Sequence, residues 1–66
     1  MESYNLDNLP QLLKVSEVAA TLRISPSMAY LLVQRNEIPS IRLGRTIRVR
    51  LADVQNFIAS KLKISN

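Results

Sequence analysis

The chain has 66 residues, a net charge of +4 and a hydrophobic content of 47%, with a single glycine and neither cysteine nor histidine. That length makes one small domain, which buries only about 60% of its unfolded surface. The missing cysteine rules out disulfides and thiolate metal sites, and the missing histidine removes the usual general base and the commonest metal ligand, so no enzyme, no cofactor and no metal are expected.

Residues 1–10 read as a flexible N-terminal segment. Met1 to Asn8 are polar and without periodicity, and Leu9-Pro10-Gln11-Leu12-Leu13 brings apolar side chains to the start of the first helix. Glu2 and Asp7, with no apolar run behind them, predict no signal peptide and a cytoplasmic location. The longest apolar run, Met28 to Val33, is far short of the ~20 residues a membrane span needs, so no membrane association is expected.

The domain proper spans 11–63. Ser16 is the expected N-cap of the first helix, and Glu17 in its first turn complements the helix dipole. Val15, Val18, Ala19 and Leu22 recur at helical spacing as one buried stripe, and the helix should end near Leu22 or Arg23 as plain scaffold. Ile24-Ser25-Pro26 restarts a helix: Ser25 can cap, and proline suits a first helical position whose N–H would be unpaired anyway. This second helix is expected from Pro26 to Arg35. Ala29, Leu32 and Val33 form its inner face, and Ser27, Leu31 and Gln34 the opposite one, with Met28 and Arg35 beside them. Tyr30 falls on the flank, where its ring can pack while its hydroxyl reaches outward. Leu31 is the odd residue on an outward face. It can meet a thymine methyl group, meet a protein partner, or pack inward if the helix is rotated differently.

Asn36 is the expected left-handed stop, and Pro39 keeps Ile38 out of helical geometry before a strand. Ile41 to Arg50 alternates apolar and basic residues around Gly44. A three-residue loop, Gly44-Arg45-Thr46, pairs Leu43 with Ile47, Arg42 with Arg48 and Ile41 with Val49, keeping apolar and basic faces apart. A two-residue loop, Gly44-Arg45, would mix them, so the alternation favours the longer one. Facing arginines repel, and an external polyanion would relieve them. Charge placement agrees: Lys14, Arg23, Arg35, Lys61 and Lys63 balance the five acids, so the whole excess sits on Arg42, Arg45, Arg48 and Arg50. A merely solvated basic face is the plainer alternative. The third helix is expected from Leu51 to Leu62. Leu51, Val54, Ile58 and Leu62 line one side with Phe57 beside them as core plug, Asp53 lies in the first turn, and Lys61 and Lys63 sit at the C-terminal end. Residues 64–66 read as a loose tail.

Two short helices joined by a three-residue turn, a hairpin and a closing helix make a mainly α winged helix-turn-helix of order α-α-β-β-α. The segments LLKVSEVAATLRIS, SPSMAYLLVQRNEIPSIRLGR and IRVRLADVQNFI make the chain resemble the excisionase-type DNA-binding domains, related to the MerR-like group, from about Leu12 to Ile58. The resemblance implies that the second helix reads the major groove and that the wing touches adjacent backbone or minor groove. It places Ser25, Ser27 and Tyr30 at polar or aromatic recognition-helix positions, and Arg42, Arg45 and Arg48 at basic wing positions. Leu31 stands where such domains commonly carry a basic residue, and Leu51 where a polar or basic one is more usual.

The expected partner is therefore double-stranded DNA, with an integrase or recombinase and cooperative self-association on DNA as further partners, and no small-molecule ligand. Ser27, Met28, Leu31 and Gln34 would meet base edges with Arg35 alongside, while the wing arginines neutralise phosphates and give a salt slope of about −3. The leading role is an excisionase-like recombination directionality factor, and a small transcriptional regulator would use the same fold. The competing class is a protein-interaction adaptor with Met28 and Leu31 as its apolar contact.

Overall fold

The computed structural model describes residues 11–63. The readings made for 1–10 and 64–66 lie outside them. In chain order the elements are β1 (Leu12–Leu13), α1 (Val15–Leu22), α2 (Pro26–Gln34), β2 (Ile41–Leu43), β3 (Thr46–Arg50) and α3 (Leu51–Lys61). Three helices and a small antiparallel hairpin give the expected winged helix-turn-helix, with one strand added in front.

That strand corrects the reading of Leu12-Leu13 as an approach to the first helix. β1 pairs antiparallel with β3, Leu12 opposite Arg50 and Leu13 opposite Val49, so the sheet runs β1-β3-β2. Beyond it, Leu51 N–H donates to Gln11 O at 2.9 Å and ties the start of α3 to the same edge. Two residues carry no periodicity of their own; long-range pairing alone makes them a strand.

The start of α1 is also corrected. The cap is Lys14 in extended geometry, not Ser16. A lysine side chain offers no acceptor, so the usual hydroxyl-to-N–H bond is replaced by its reciprocal half: Lys14 N–H donates to Glu17 Oε1 at 2.7 Å. The helix ends on Arg23 at φ 57°, with Ile24 N–H reaching Ala19 O and Arg23 N–H reaching Ala20 O. This six-to-one, five-to-two closure normally favours glycine. Ser25 then caps α2 as expected, its Oγ accepting from Met28 N–H at 3.1 Å with Pro26 at the first position. Asn36, at φ 60°, stops α2 by the same closure through Glu37 N–H to Leu32 O.

The core is Leu13, Val15, Val18, Ala19, Ala29, Val33, Ile38, Val49 and Val54, with Leu22, Leu32, Leu51 and Phe57 partly buried against it. The stripe on α1 and the inner face of α2 are as expected. Ile38, in the loop after α2, is fully buried and among the largest side chains at the centre. The apolar side of α3 needs correction: Ile58 and Leu62 are 46% and 70% exposed, because α3 runs past the core after Phe57.

The hairpin register is corrected most. Leu43 pairs with Thr46, Arg42 with Ile47 and Ile41 with Arg48, so the loop is the two-residue Gly44-Arg45. Gly44 has φ +65° and Arg45 lacks a positive φ, the pattern of a type II′ turn, whose twist matches that of the flanking strands. Ile47 and Val49 face the core, and Ile41 and Leu43 share the outer face with Arg48. Burial enforces alternation only where a strand covers the core. At the tip nothing is covered (Leu43 is 55% exposed), and turn geometry decides instead.

Candidate nucleic-acid interface

Burial of Ala29 and Val33 fixes the rotation of α2. At 100° per residue the opposite side carries Ser27, Leu31 and Gln34, flanked by Tyr30 and Arg35. Ser27, Tyr30, Gln34 and Arg35 are exposed. Leu31 is half-buried yet lies outside the set of side chains packed on the core, so packing into the interior is not its role. Ser25 Oγ is held by its cap bond through a lone pair, which leaves the hydroxyl proton free to donate. Met28 is placed apart from this face. It lines an apolar groove with Leu22, Ile24, Phe57, Ile58 and Leu62, on the flank of α2 that looks toward α3.

The wing carries its cations on both sides. Arg42 shares the face of Ile47, Arg48 lies on the outer face, and Arg45 is in the turn. No two arginines oppose one another across the strands, so the repulsion expected from the longer loop does not arise. Arg42 and Arg45 are exposed, and among the described residues they make no ion pair or side-chain hydrogen bond. Arg48 is half-buried and its Nη1 donates to Ile47 O at 2.9 Å, which steadies the side chain, and among the described residues no carboxylate pairs with it.

Arg50 is not part of that free charge. Its Nε and Nη2 donate to the two carboxylate oxygens of Asp53 at 2.6 and 3.0 Å, a bidentate pair across the first turn of α3. The hydrogen bond, and then the charge of Asp53, raise the Arg50 pKa above its ordinary value. Asp53 is the one buried charged residue among the described residues, and both its oxygens accept from Arg50. Sequence reasoning placed Asp53 at the helix dipole and missed the pair, although Arg50 and Asp53 stand at the i,i+3 spacing that brings such groups together. Among the described residues the wing therefore offers three guanidinium groups without a carboxylate partner rather than four.

The remaining described carboxylates are engaged elsewhere: Glu17 with Lys14 N–H, and Glu37 with Lys61 at 3.8 Å. Glu17 lies on α1, Glu37 in the loop after α2 and Asp53 on α3. Among the described residues no helix is long and apolar enough to cross a membrane.

The family model described as "Helix-turn-helix domain" matches residues 12–62. Two Mycobacterium tuberculosis proteins are similar: "Putative DNA-binding protein MT0521" of strain CDC 1551 / Oshkosh and "Putative DNA-binding protein Rv0500A" of strain ATCC 25618 / H37Rv. Each is 44% identical over 48 residues, covering 73% of this chain and 62% of the relative's own length. No solved structure matches.

Proposed function

We infer that this chain, which belongs to the helix-turn-helix domain family, is a sequence-specific double-stranded DNA-binding protein, and that it acts as an excisionase-like recombination directionality factor of MerR-like kinship. The observation that carries the DNA reading is the uncompensated charge of Arg42 and Arg45 on a projecting hairpin, in a fold whose second helix turns a largely polar face outward. The names of the two mycobacterial relatives point the same way.

In this mechanism α2 enters the major groove. Ser27 and Gln34 hydrogen-bond to base edges, and Leu31 lies against a thymine methyl group. Tyr30 and Arg35 reach the flanking backbone from either side of that face. Ser25 donates its free hydroxyl proton to a phosphate at the N-terminal end of the helix, where unpaired N–H groups also favour an anion. Met28 supports the helix from the groove side and contacts bases only at the margin. Arg42, Arg45 and Arg48 neutralise phosphates and set the orientation of the domain.

A module of this size buries on the order of 600–1,000 Å² on DNA, little for tight binding by one copy. Cooperative copies on adjacent sites, or an integrase bound alongside, supply the rest, and the output is DNA bent into a recombination complex. A small transcriptional regulator would make the same contacts, and the test separates the two roles. Duplexes selected from a random pool at physiological salt define the site, and an excision reaction with any integrase found encoded beside this chain then asks for the activity. Excision that depends on this protein, lost with Ser27→Ala/Gln34→Ala, supports the proposal. Site-specific binding with no effect on excision assigns the regulator instead, and absence of any selected site removes the DNA reading altogether.

A further inference from the structure

Arg23 is an exposed cation at the junction of α1 and α2, and the DNA mechanism above gives it no part. It ends α1 in the left-handed region, at φ 57° and ψ 45°. An L-residue there brings its Cβ against the following carbonyl oxygen, and glycine is the usual occupant of such a stop. Asn36 ends α2 at φ 60°, and asparagine is one of the few other residues that visit this region readily. Arginine is not. The fold therefore carries a steric penalty at Arg23 that glycine would remove, and no internal contact among the described residues offsets it. No carboxylate pairs with Arg23, and the side chain lies outside the set packed on the core.

We propose that Arg23 contacts a DNA phosphate and anchors the turn between α1 and α2 to the duplex backbone. This rests on the DNA-binding reading and adds to it a contact that the wing does not supply.

Position, spacing and chemistry choose this partner. Arg23 stands two residues before Ser25, at most about 7 Å of extended chain, and Ser25 caps the helix whose outward face carries Ser27 and Gln34. A duplex read by that face brings its backbone to this turn. α2 has nine residues, so it is about 13.5 Å long, with Arg23 before its start and Arg35 at its end. The major groove is about 12 Å wide, and the two guanidinium groups match phosphates on its opposite walls. A guanidinium also presents a planar fork of donors that suits phosphate oxygens two at a time. Left-handed residues other than glycine collect where a ligand is held, and a phosphate contact gives this one its reason.

Anisotropy titrations between 50 and 200 mM salt, on the duplex recovered by random-pool selection, test the contact alongside thermal melts. Arg23→Gln keeps the left-handed backbone and loses the charge. It should flatten the slope of log affinity against log salt by about 0.9, shrinking the affinity lost across that range by about 3.5-fold, with Tm nearly unchanged. Arg23→Lys keeps the charge and should keep the slope. Arg23→Gly should flatten the slope equally while raising Tm by a few degrees, a gain in stability with a loss in affinity that a merely structural residue would not show. A phosphate carries no sequence information, so binding to a scrambled duplex should weaken by the same factor. A slope for Arg23→Gln equal to that of the unaltered protein, or a loss confined to the selected duplex, would overturn the proposal. If Arg45→Gln flattens the slope and Arg23→Gln does not, the wing reading stands and only this contact falls. If the unaltered protein binds no duplex, both fall.

Discussion

Replacing Arg45 by glutamine removes one guanidinium that no described group neutralises, and the cost can be worked from the wing geometry. Arg42, Arg45 and Arg48 are the hairpin charges that no carboxylate among the described residues compensates, and each phosphate contact contributes about 0.9 to the slope of log affinity against log salt. Between 50 and 200 mM salt, three contacts lose about 40-fold in affinity and two lose about 12-fold. Arg45→Gln should therefore weaken binding at low salt and flatten the slope by about 0.9. The double variant Arg50→Gln/Asp53→Asn leaves the net charge unchanged and removes a pair already closed within the protein. It should leave the slope as it was. Fluorescence anisotropy on a labelled duplex across that salt range measures both. If the double variant flattens the slope as much as Arg45→Gln does, Arg50 is contacting phosphate and the division of the wing into free and spent arginines is wrong.

Other outcomes are expected from the fold. Ile38→Ala removes a fully buried side chain and should cost about 2–5 kcal/mol, while Leu43→Ala, exposed on the wing, should cost under about 0.5 kcal/mol; thermal melts followed by circular dichroism compare them. Gly44→Ala meets no atom within 4 Å, so its effect is that of a side chain at φ +65°, roughly 1–2 kcal/mol, read as faster amide exchange in β2 and β3 with the helices unaffected. Arg23→Gly relieves a left-handed residue in the turn between α1 and α2 and should raise Tm by a few degrees; a fall would mean that the arginine side chain packs or pairs favourably there. Affinity for DNA should be flat from pH 6.0 to 7.0, because the chain lacks histidine, the side chain that ordinarily changes charge there. The Arg50–Asp53 pair agrees in sign: with the Arg50 pKa raised, its stabilisation is complete below the ordinary arginine value and is lost only as pH climbs through the higher one. A marked change in anisotropy titrations between those two pH values would point to a titrating group outside the described residues.

Local chemistry was the legible part. Ser25-Pro26 announced the start of α2, because capping and the proline ring act within a few residues of the chain. Asn36 announced its end for the same reason. Apolar spacing over α1 and α2 located Val15, Val18, Ala29 and Val33, since one face of each helix lies against the centre along most of its length. The same logic over-extended α3: Ile58 and Leu62 continue the spacing where there is no core left to cover. In the hairpin, alternation was trusted at a tip that buries nothing, while the Gly44-Arg45 step carried a two-residue turn signal that pointed to the observed register. Of the candidate contact residues, the fold turns Ser27, Leu31 and Gln34 to one face of α2 and places Met28 in the groove.

By itself the sequence determined that this is one small domain free of thiol and imidazole chemistry, built of capped helices around an arginine-bearing hairpin. Those properties reside in single residues or in neighbours a turn apart. Only the tertiary structure decided that Leu13 is a strand residue against Val49, that Ile38 closes the core, and that Arg50 is tied to Asp53 while Arg42 and Arg45 have no ion-pair partner among the described residues. Each depends on which surfaces meet once the chain has closed on itself, and a contact between residues some 36 positions apart in sequence leaves no periodicity to read in either segment.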